Sequence, residues 1–206
     1  MAGPGAVLVT AFEPFGGETV NASWEAARQL DGWRCGEVVV AARMLPCAYD
    51  VSVAEFFASV ESLRPCAVLM TGQAARRATV CVERFARNAA HASAPDNRGS
   101  LGPRAADGPD AIESTTSALR IAWAIRQAGI PARVSTDAGD YVCNHLYYYA
   151  LRRLAEASQP IPAVFIHLPA TPEQTPAGAS RRRLATPDAV LALRAAVEVV
   201  SAPCVG

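Results

Sequence analysis

Ala132-Arg133-Val134-Ser135-Thr136, then Asp137-Ala138-Gly139-Asp140-Tyr141, then Val142-Cys143-Asn144-His145-Leu146 reads as a strand, a turn and the start of a helix. The first five residues have the pattern of a short strand. Leu146, Tyr147, Ala150, Leu151 and Leu154 follow Cys143 at helical spacing and mark one buried stripe. Cys143 therefore falls in the first helical turn. Unpaired N–H groups and the positive end of the helix dipole favour a thiolate there, and the thiolate is the nucleophilic form. A cysteine on an apolar helical face is otherwise an inert small hydrophobe, so the rest of the chain must decide between the two readings.

Working outward, the same alternation recurs. Val7 to Phe12 is a continuous apolar run that ends in Glu13-Pro14-Phe15-Gly16-Gly17, and Asn21 is placed to cap a helix bearing Trp24, Ala27 and Leu30. Val38 to Ala42 reads as a strand, Val51 to Leu63 as a helix, and Ala67 to Met70 as a strand ending at Thr71-Gly72-Gln73. Ala78 to Arg87 is expected to be extended, and Ala92 to Asp110 to be a long loop, a length often given to lids or binding elements. Thr115 to Ala128 is expected to be helical, Ala163 to Leu168 a buried strand, and Thr186-Pro187-Asp188 opens a last helix. Strands that alternate with helices predict an α/β fold, a three-layer α/β/α sandwich with a mostly parallel central sheet. Without internal repeats or a low-complexity linker, residues 1–206 are expected to form a single domain.

Composition narrows the function. Nineteen basic and nineteen acidic residues cancel, so no broad field for nucleic acid or an anionic membrane is present. All the basic residues are arginine; without lysine, Schiff-base chemistry and a P-loop lysine are excluded. The start lacks the pattern of an export signal, and no apolar run approaches the roughly 20 residues of a spanning helix, so a cytoplasmic location is expected. The six cysteines, at 35, 47, 66, 81, 143 and 204, show no C-x-x-C pair and no matching histidine spacing. Neither a metal site nor a disulfide framework is expected from them; Cys204 is a candidate for a subunit contact.

In open parallel sheets the ligand sits at the carboxyl ends of strands. Phe12 to Gly17, Gly72-Gln73-Ala74 and His167-Leu168-Pro169 fall at such ends, and Cys143 follows a fourth. Four strand ends are thus expected to converge on one cleft. A thiolate is best served by an imidazole. His91 lies in a polar stretch, and His145 points elsewhere on the helix from Cys143. His167 ends the buried run Val164-Phe165-Ile166 and is the best base, although a satisfied histidine at a strand end is the bland alternative. Glu83 is a candidate to orient it, with pairing to Arg84, Arg87 or another arginine as the alternative. Gly16-Gly17 lacks the spacing of a nucleotide loop, and Arg181-Arg182-Arg183 reads as a solvated run.

Taken together these blocks resemble the pyroglutamyl peptidase I, or pyrrolidone-carboxylate peptidase, family of cysteine peptidases. The resemblance rests on Val9 to Gly17 with Asn21 and Ser23-Trp24-Glu25-Ala26, on Gly72-Gln73-Ala74, and on Val82-Glu83-Arg84 with Asn88. It continues through Pro95-Asp96-Asn97, Val142-Cys143-Asn144-His145, and Phe165 to Pro169 with Pro172-Glu173-Gln174. It implies a cytosolic enzyme without a cofactor, often tetrameric, that removes N-terminal pyroglutamate from peptides. By motif, Cys143 is the nucleophile, His167 the acid/base and Glu83 the residue that orients it. Phe12 and Phe15 match the residues that hold the lactam ring, Gln73 a polar contact to it, and Tyr141 an aromatic beside the pocket. A neutral lactam offers apolar faces, one N–H and one C=O, which rings and a few polar groups can satisfy.

The chain also departs from that family. Ala75 and Arg76 stand where two glycines are usual, Val82 where proline is, Arg87 where an apolar residue is common, and Ser93 where many members have arginine. Asp140 replaces a usual threonine, and a carboxylate close to the nucleophile would disfavour the thiolate. These changes keep open a catalytically weak binding protein, or a hydrolase of a different small acyl amide. The partners that the resemblance implies are a peptide with N-terminal pyroglutamate and further copies of this chain, in a tetramer or dimer, with neither nucleic acid nor membrane expected.

Overall fold

A computed structural model describes residues 5–89, 92, 94–102, 107–156, 161–174 and 183–204. Strand β1 (Ala6–Phe12) is followed by helix α1 (Ala22–Ala27), β2 (Arg34–Cys35), β3 (Val38–Leu45), α2 (Tyr49–Leu63) and β4 (Ala67–Gln73). Then come β5 (Val80–Glu83), β6 (Phe85–Arg87), β7 (Ala111–Glu113), α3 (Ala118–Gln127), β8 (Ala132–Ser135), α4 (Val142–Ala155), β9 (Ala163–Leu168) and α5 (Thr186–Ser201). Seven strands form a sheet in the order β2-β3-β1-β4-β9-β5-β8, and β6 pairs with β7 in a separate ribbon.

Both faces of the sheet are covered, which is why its central strands are apolar runs without alternation. Val7, Val9, Leu69, Val82, Val164 and Ile166 point to the layer of α1, α3 and α5, where they meet Ile121, Ile125, Leu193 and Val197. Leu8, Phe12, Val68, Met70 and Phe165 point the other way, to Phe56, Leu146, Tyr147 and Leu151 of α2 and α4. Burial of each such large side chain stabilises the fold by roughly 1.5–3 kcal/mol. Local signals set the helix starts: Asn21 Oδ1 accepts from the Ser23 N–H at 3.0 Å, and Ser117 Oγ from the Arg120 N–H at 3.3 Å. Gly129, at φ 84°, ends the run after α3.

Several expectations need correction. The extended stretch from Ala78 to Arg87 divides between two sheets, because Arg84 breaks the register and β6 turns away to pair with β7. Strands β1, β3, β4 and β9 are parallel, but β5 runs antiparallel to β9, and β8 follows β5. The carboxyl end of β8 therefore does not join those of β1, β4 and β9, so the expected convergence of four ends holds for three. Cys66 and Cys204 form a disulfide across a sequence separation of 138, their Cα atoms 5.7 Å apart, where no bridge was expected. The bond joins the start of β4 to the turn after α5, two segments that only the tertiary fold makes neighbours. Cys204 is thus an internal anchor. His91, Ser93, Arg181 and Arg182 lie outside the described residues.

Candidate active site

Ser135 pairs with Glu83, and Glu83 with Phe165, two residues short of His167. The chain leaving β8 therefore starts one strand away from β9, with β5 between them, and residues 136–141 carry it onto the α2/α4 face of the sheet. Helix α4 begins at Val142, so Cys143 is in its first turn. The sulfur lies over Gly72 at the end of β4: a Cβ on Gly72 would come 2.8 Å from Cys143 Sγ. Gly72 pairs in register with His167, so the sulfur above Gly72 and the imidazole lie at the ends of neighbouring strands β4 and β9.

His167 and Glu83 are buried on the same face. His167 Nδ1 and Glu83 Oε1 are 2.8 Å apart, which leaves Nε2 as the ring nitrogen available to the cavity. The same carboxylate oxygen takes Arg77 Nη1 at 2.9 Å. Glu83 thus contacts both the histidine and an arginine, the latter being Arg77 instead of Arg84 or Arg87. Arg84 pairs with Glu113 on the surface, and Arg87 faces Asp137 at 3.9 Å.

A cavity of about 360 Å³ opens above these groups, lined by Phe15, Gln73, Arg76, Asp140, Tyr141, Cys143 and His167 among others. That volume suits a small ligand. Phe15 and Tyr141 face one another, ring centroids 5.8 Å apart, and Tyr49 meets Tyr141 edge-on at 6.0 Å. Gln73, which lines the cavity, is fixed by its Oε1, which accepts the Ala22 N–H of α1 at 2.6 Å. Phe12 does not line the cavity; it is buried in the apolar layer behind it. His145 turns away from Cys143 to Asp50, Nε2 to Oδ1 3.2 Å, and packs edge-on against Tyr49.

Other residues of the quoted blocks build the frame. Glu13 Oε1 accepts from the Cys47 N–H at 3.0 Å and from Asn97 Nδ2 at 2.8 Å, joining the ends of β1 and β3 to the Pro95-Asp96-Asn97 turn. Asp96 Oδ2 accepts the Tyr49 N–H, and Tyr141 donates its hydroxyl to the Pro95 carbonyl. Asn144 accepts from the Arg87 N–H and donates to the Arg87 carbonyl, each at 2.8 Å, pinning the first turn of α4 to β6. Tyr147 donates to the Glu83 carbonyl at 3.0 Å. Arg77, Gly72, Asn144 and Tyr147 were not singled out for function from the sequence. Asn144 adjoins Cys143, and that adjacency was the one local signal.

The electrostatics differ from the first reading of Cys143. Burial pushes its thiol well above the ordinary cysteine range, with Cys47 and Glu83 adding to the rise; its own N–H and Arg77 oppose it. Desolvation thus pushes the thiol in the direction opposite to that expected of a helix terminus. The carboxylate among the groups that raise it is Glu83, whereas Asp140 stands exposed on the cavity rim. Ala75 and Arg76 are also exposed. Among the described residues only Arg64 is a non-glycine at positive φ, so neither position demands glycine.

A cysteine beside a carboxylate-oriented histidine, set at strand ends of an α/β sheet, is the arrangement of a cysteine peptidase. The chain belongs to the pyroglutamyl peptidase family, whose profile matches residues 5–202. It is 44% identical over 196 residues to the pyrrolidone-carboxylate peptidase of Chromobacterium violaceum, covering 94% of this chain and 91% of that one. It is 41% identical to pyrrolidone-carboxylate peptidase 2 of Photorhabdus laumondii, with coverage of 93% and 89%. The fold matches pyroglutamyl peptidase I of Bacillus amyloliquefaciens at a TM-score of 0.90, 36% identity, over 96% of this chain and 97% of the other. A mutant pyrrolidone carboxyl peptidase of Pyrococcus furiosus superposes at 0.90 with 32% identity, over 97% and 100%. Among the described residues no helix is long and apolar enough to cross a membrane.

Proposed function

We propose that this protein removes N-terminal pyroglutamate from peptides by covalent catalysis at Cys143. The observation that carries the reading is the meeting of Cys143 with His167, a histidine whose Nδ1 is held by Glu83, at one small cavity with aromatic walls. Phe15 and Tyr141 take the faces of the lactam, Gln73 donates to its carbonyl, and Phe12 supports the wall from behind.

His167 Nε2 accepts the Cys143 thiol proton as Sγ bonds to the acyl carbon, and the carbonyl oxygen, now negative, is met by the Cys143 N–H. The C–N bond breaks, the imidazolium returns its proton to the departing amine, and a thioester remains. Water, deprotonated by His167, attacks that thioester, releases pyroglutamate and restores the thiol. Glu83 holds Nδ1–H throughout and stabilises the charged ring. No cofactor enters this scheme. A cytoplasmic, homo-oligomeric enzyme (tetramer or dimer) built from one domain over residues 1–206 completes the proposal, drawn from the family likeness.

The test is hydrolysis of a fluorogenic pyroglutamyl amide by the reduced protein beside Cys143→Ala. Turnover by the wild type and none by a folded Cys143→Ala is the expected result. A folded wild-type protein without turnover would refute the peptidase reading, and an active Cys143→Ala would refute the nucleophile.

A further inference from the structure

Arg77 has no part in the scheme above, yet its guanidinium is the most heavily engaged group near the site. Nη1 reaches Glu83 Oε1 at 2.9 Å and Ser135 Oγ at 3.0 Å, and Nη2 reaches the Asp137 carbonyl at 2.6 Å. Ser135 Oγ in turn donates to the Asp137 carbonyl and accepts the Asp137 N–H. One planar fork therefore grips the carboxylate that orients His167 and also the start of the 136–141 segment that delivers Cys143. Its side chain is 19% exposed and that of Glu83 0%, so the pair is shielded from water on the carboxylate side. Among the described residues Glu83 Oε2 has no hydrogen-bond partner, and Oε1 carries both His167 and Arg77.

We propose that Arg77 is a positioning residue that locks Glu83 and the segment carrying Cys143 into one unit, so that base and nucleophile are set against each other through a single guanidinium. This rests on the peptidase reading. A lysine could supply the charge but has no planar fork with which to span the three acceptors. The charge also matters to the sulfur, because a cation lining the same cavity favours the thiolate. The titratable groups that face this cluster are Cys81 and Glu83 on β5, His167 on β9, Cys143 and Tyr147 on α4, Cys47 after β3, and Asp137 on the segment itself. Burial works against the charge of Arg77, and Cys81, Glu83 and Asp137 outweigh it.

The test compares Arg77→Gln, Arg77→Lys and, as a surface control, Arg84→Gln. Two readouts are taken: kcat and KM on a fluorogenic pyroglutamyl amide, and the pH profile of Cys143 alkylation by iodoacetamide. Arg77→Gln is expected to lower kcat by about tenfold or more with a smaller change in KM, and to move the alkylation profile to higher pH. Arg77→Lys should bring the alkylation profile back towards wild type while kcat stays low, and Arg84→Gln should match wild type in both. A folded Arg77→Gln with an unmoved alkylation profile would overturn the proposal, whether or not turnover fell, since a merely structural arginine would leave the thiol's titration alone. If Arg77→Gln does not fold, Arg77→Lys decides, and wild-type kcat there would overturn the fork. A shifted alkylation profile in an enzyme that never cleaves the amide would sink the peptidase reading and leave the link from Arg77 to Cys143 standing.

Discussion

Gly72 lies directly beneath Cys143: a Cβ added there would sit 2.8 Å from Sγ and 3.0 Å from Phe165 Cζ. The backbone of Gly72 is not in the left-handed region, so space, and not φ, demands glycine. Gly72→Ala should therefore push the sulfur off its position. A fall of kcat/KM by about tenfold or more is expected, because small misplacements of a nucleophile are costly. Steady-state kinetics on a pyroglutamyl amide checks this, and wild-type kinetics in Gly72→Ala would show that the sulfur is free to move.

Gln73 separates binding from scaffolding. Its Oε1 accepts the Ala22 N–H, a bond that a carboxylate in the same place would keep. Gln73→Glu retains that acceptor and loses the amide donor, placing an anion where the lactam carbonyl is expected. KM should rise by about tenfold or more while thermal stability changes little. An unchanged KM would remove Gln73 from the substrate contacts.

Alkaline pH should weaken the fold. Burial pushes the Cys47 thiol up to about 12 from 9.0, and it raises the Tyr49 and Tyr141 hydroxyls as well. In each case the folded state holds the proton more tightly than the unfolded chain. The stabilisation is complete below about pH 9 and is lost as pH rises from there through the folded values. The chain has no lysine to titrate in that window. Urea midpoints measured from pH 8 to 11 should fall, and should fall less steeply in Cys47→Ala; a flat profile for the wild type would contradict the burial of these groups.

The Cys66–Cys204 bond closes a long loop, and in the chain-entropy account such a closure stabilises by at most about 5 kcal/mol. Thiol titration of the denatured protein should find four free cysteines, those at 35, 47, 81 and 143, before reduction and six after. Reduction should lower the urea midpoint yet spare catalysis, since Cys66 precedes β4 and Gln73 ends it, about 20 Å away along the strand. In a reducing compartment the pair would persist as two thiols, and six free thiols before reduction would show the protein in that form.

The amino-acid sequence by itself announced most of the elements and named the residues from which the candidate site is built. Asn21 announces a helix start, the uninterrupted apolar runs at β1, β4 and β9 announce strands covered on both faces, and the spacing after Cys143 places it in a first helical turn. These are local signals: a side chain's neighbours along the chain fix its periodicity and its capping partner. The tertiary structure alone decided that Gly72 lies under the sulfur, that Arg77 and not Arg84 or Arg87 grips Glu83, that β5 and β8 run against β9, and that Cys66 meets Cys204. Each depends on strand order, register or chain direction, and periodicity records that a face is buried without recording what buries it. The upward push on the Cys143 thiol belongs with these. Its helix terminus is written in the sequence, but the burial that opposes it is made by the residues folded around it.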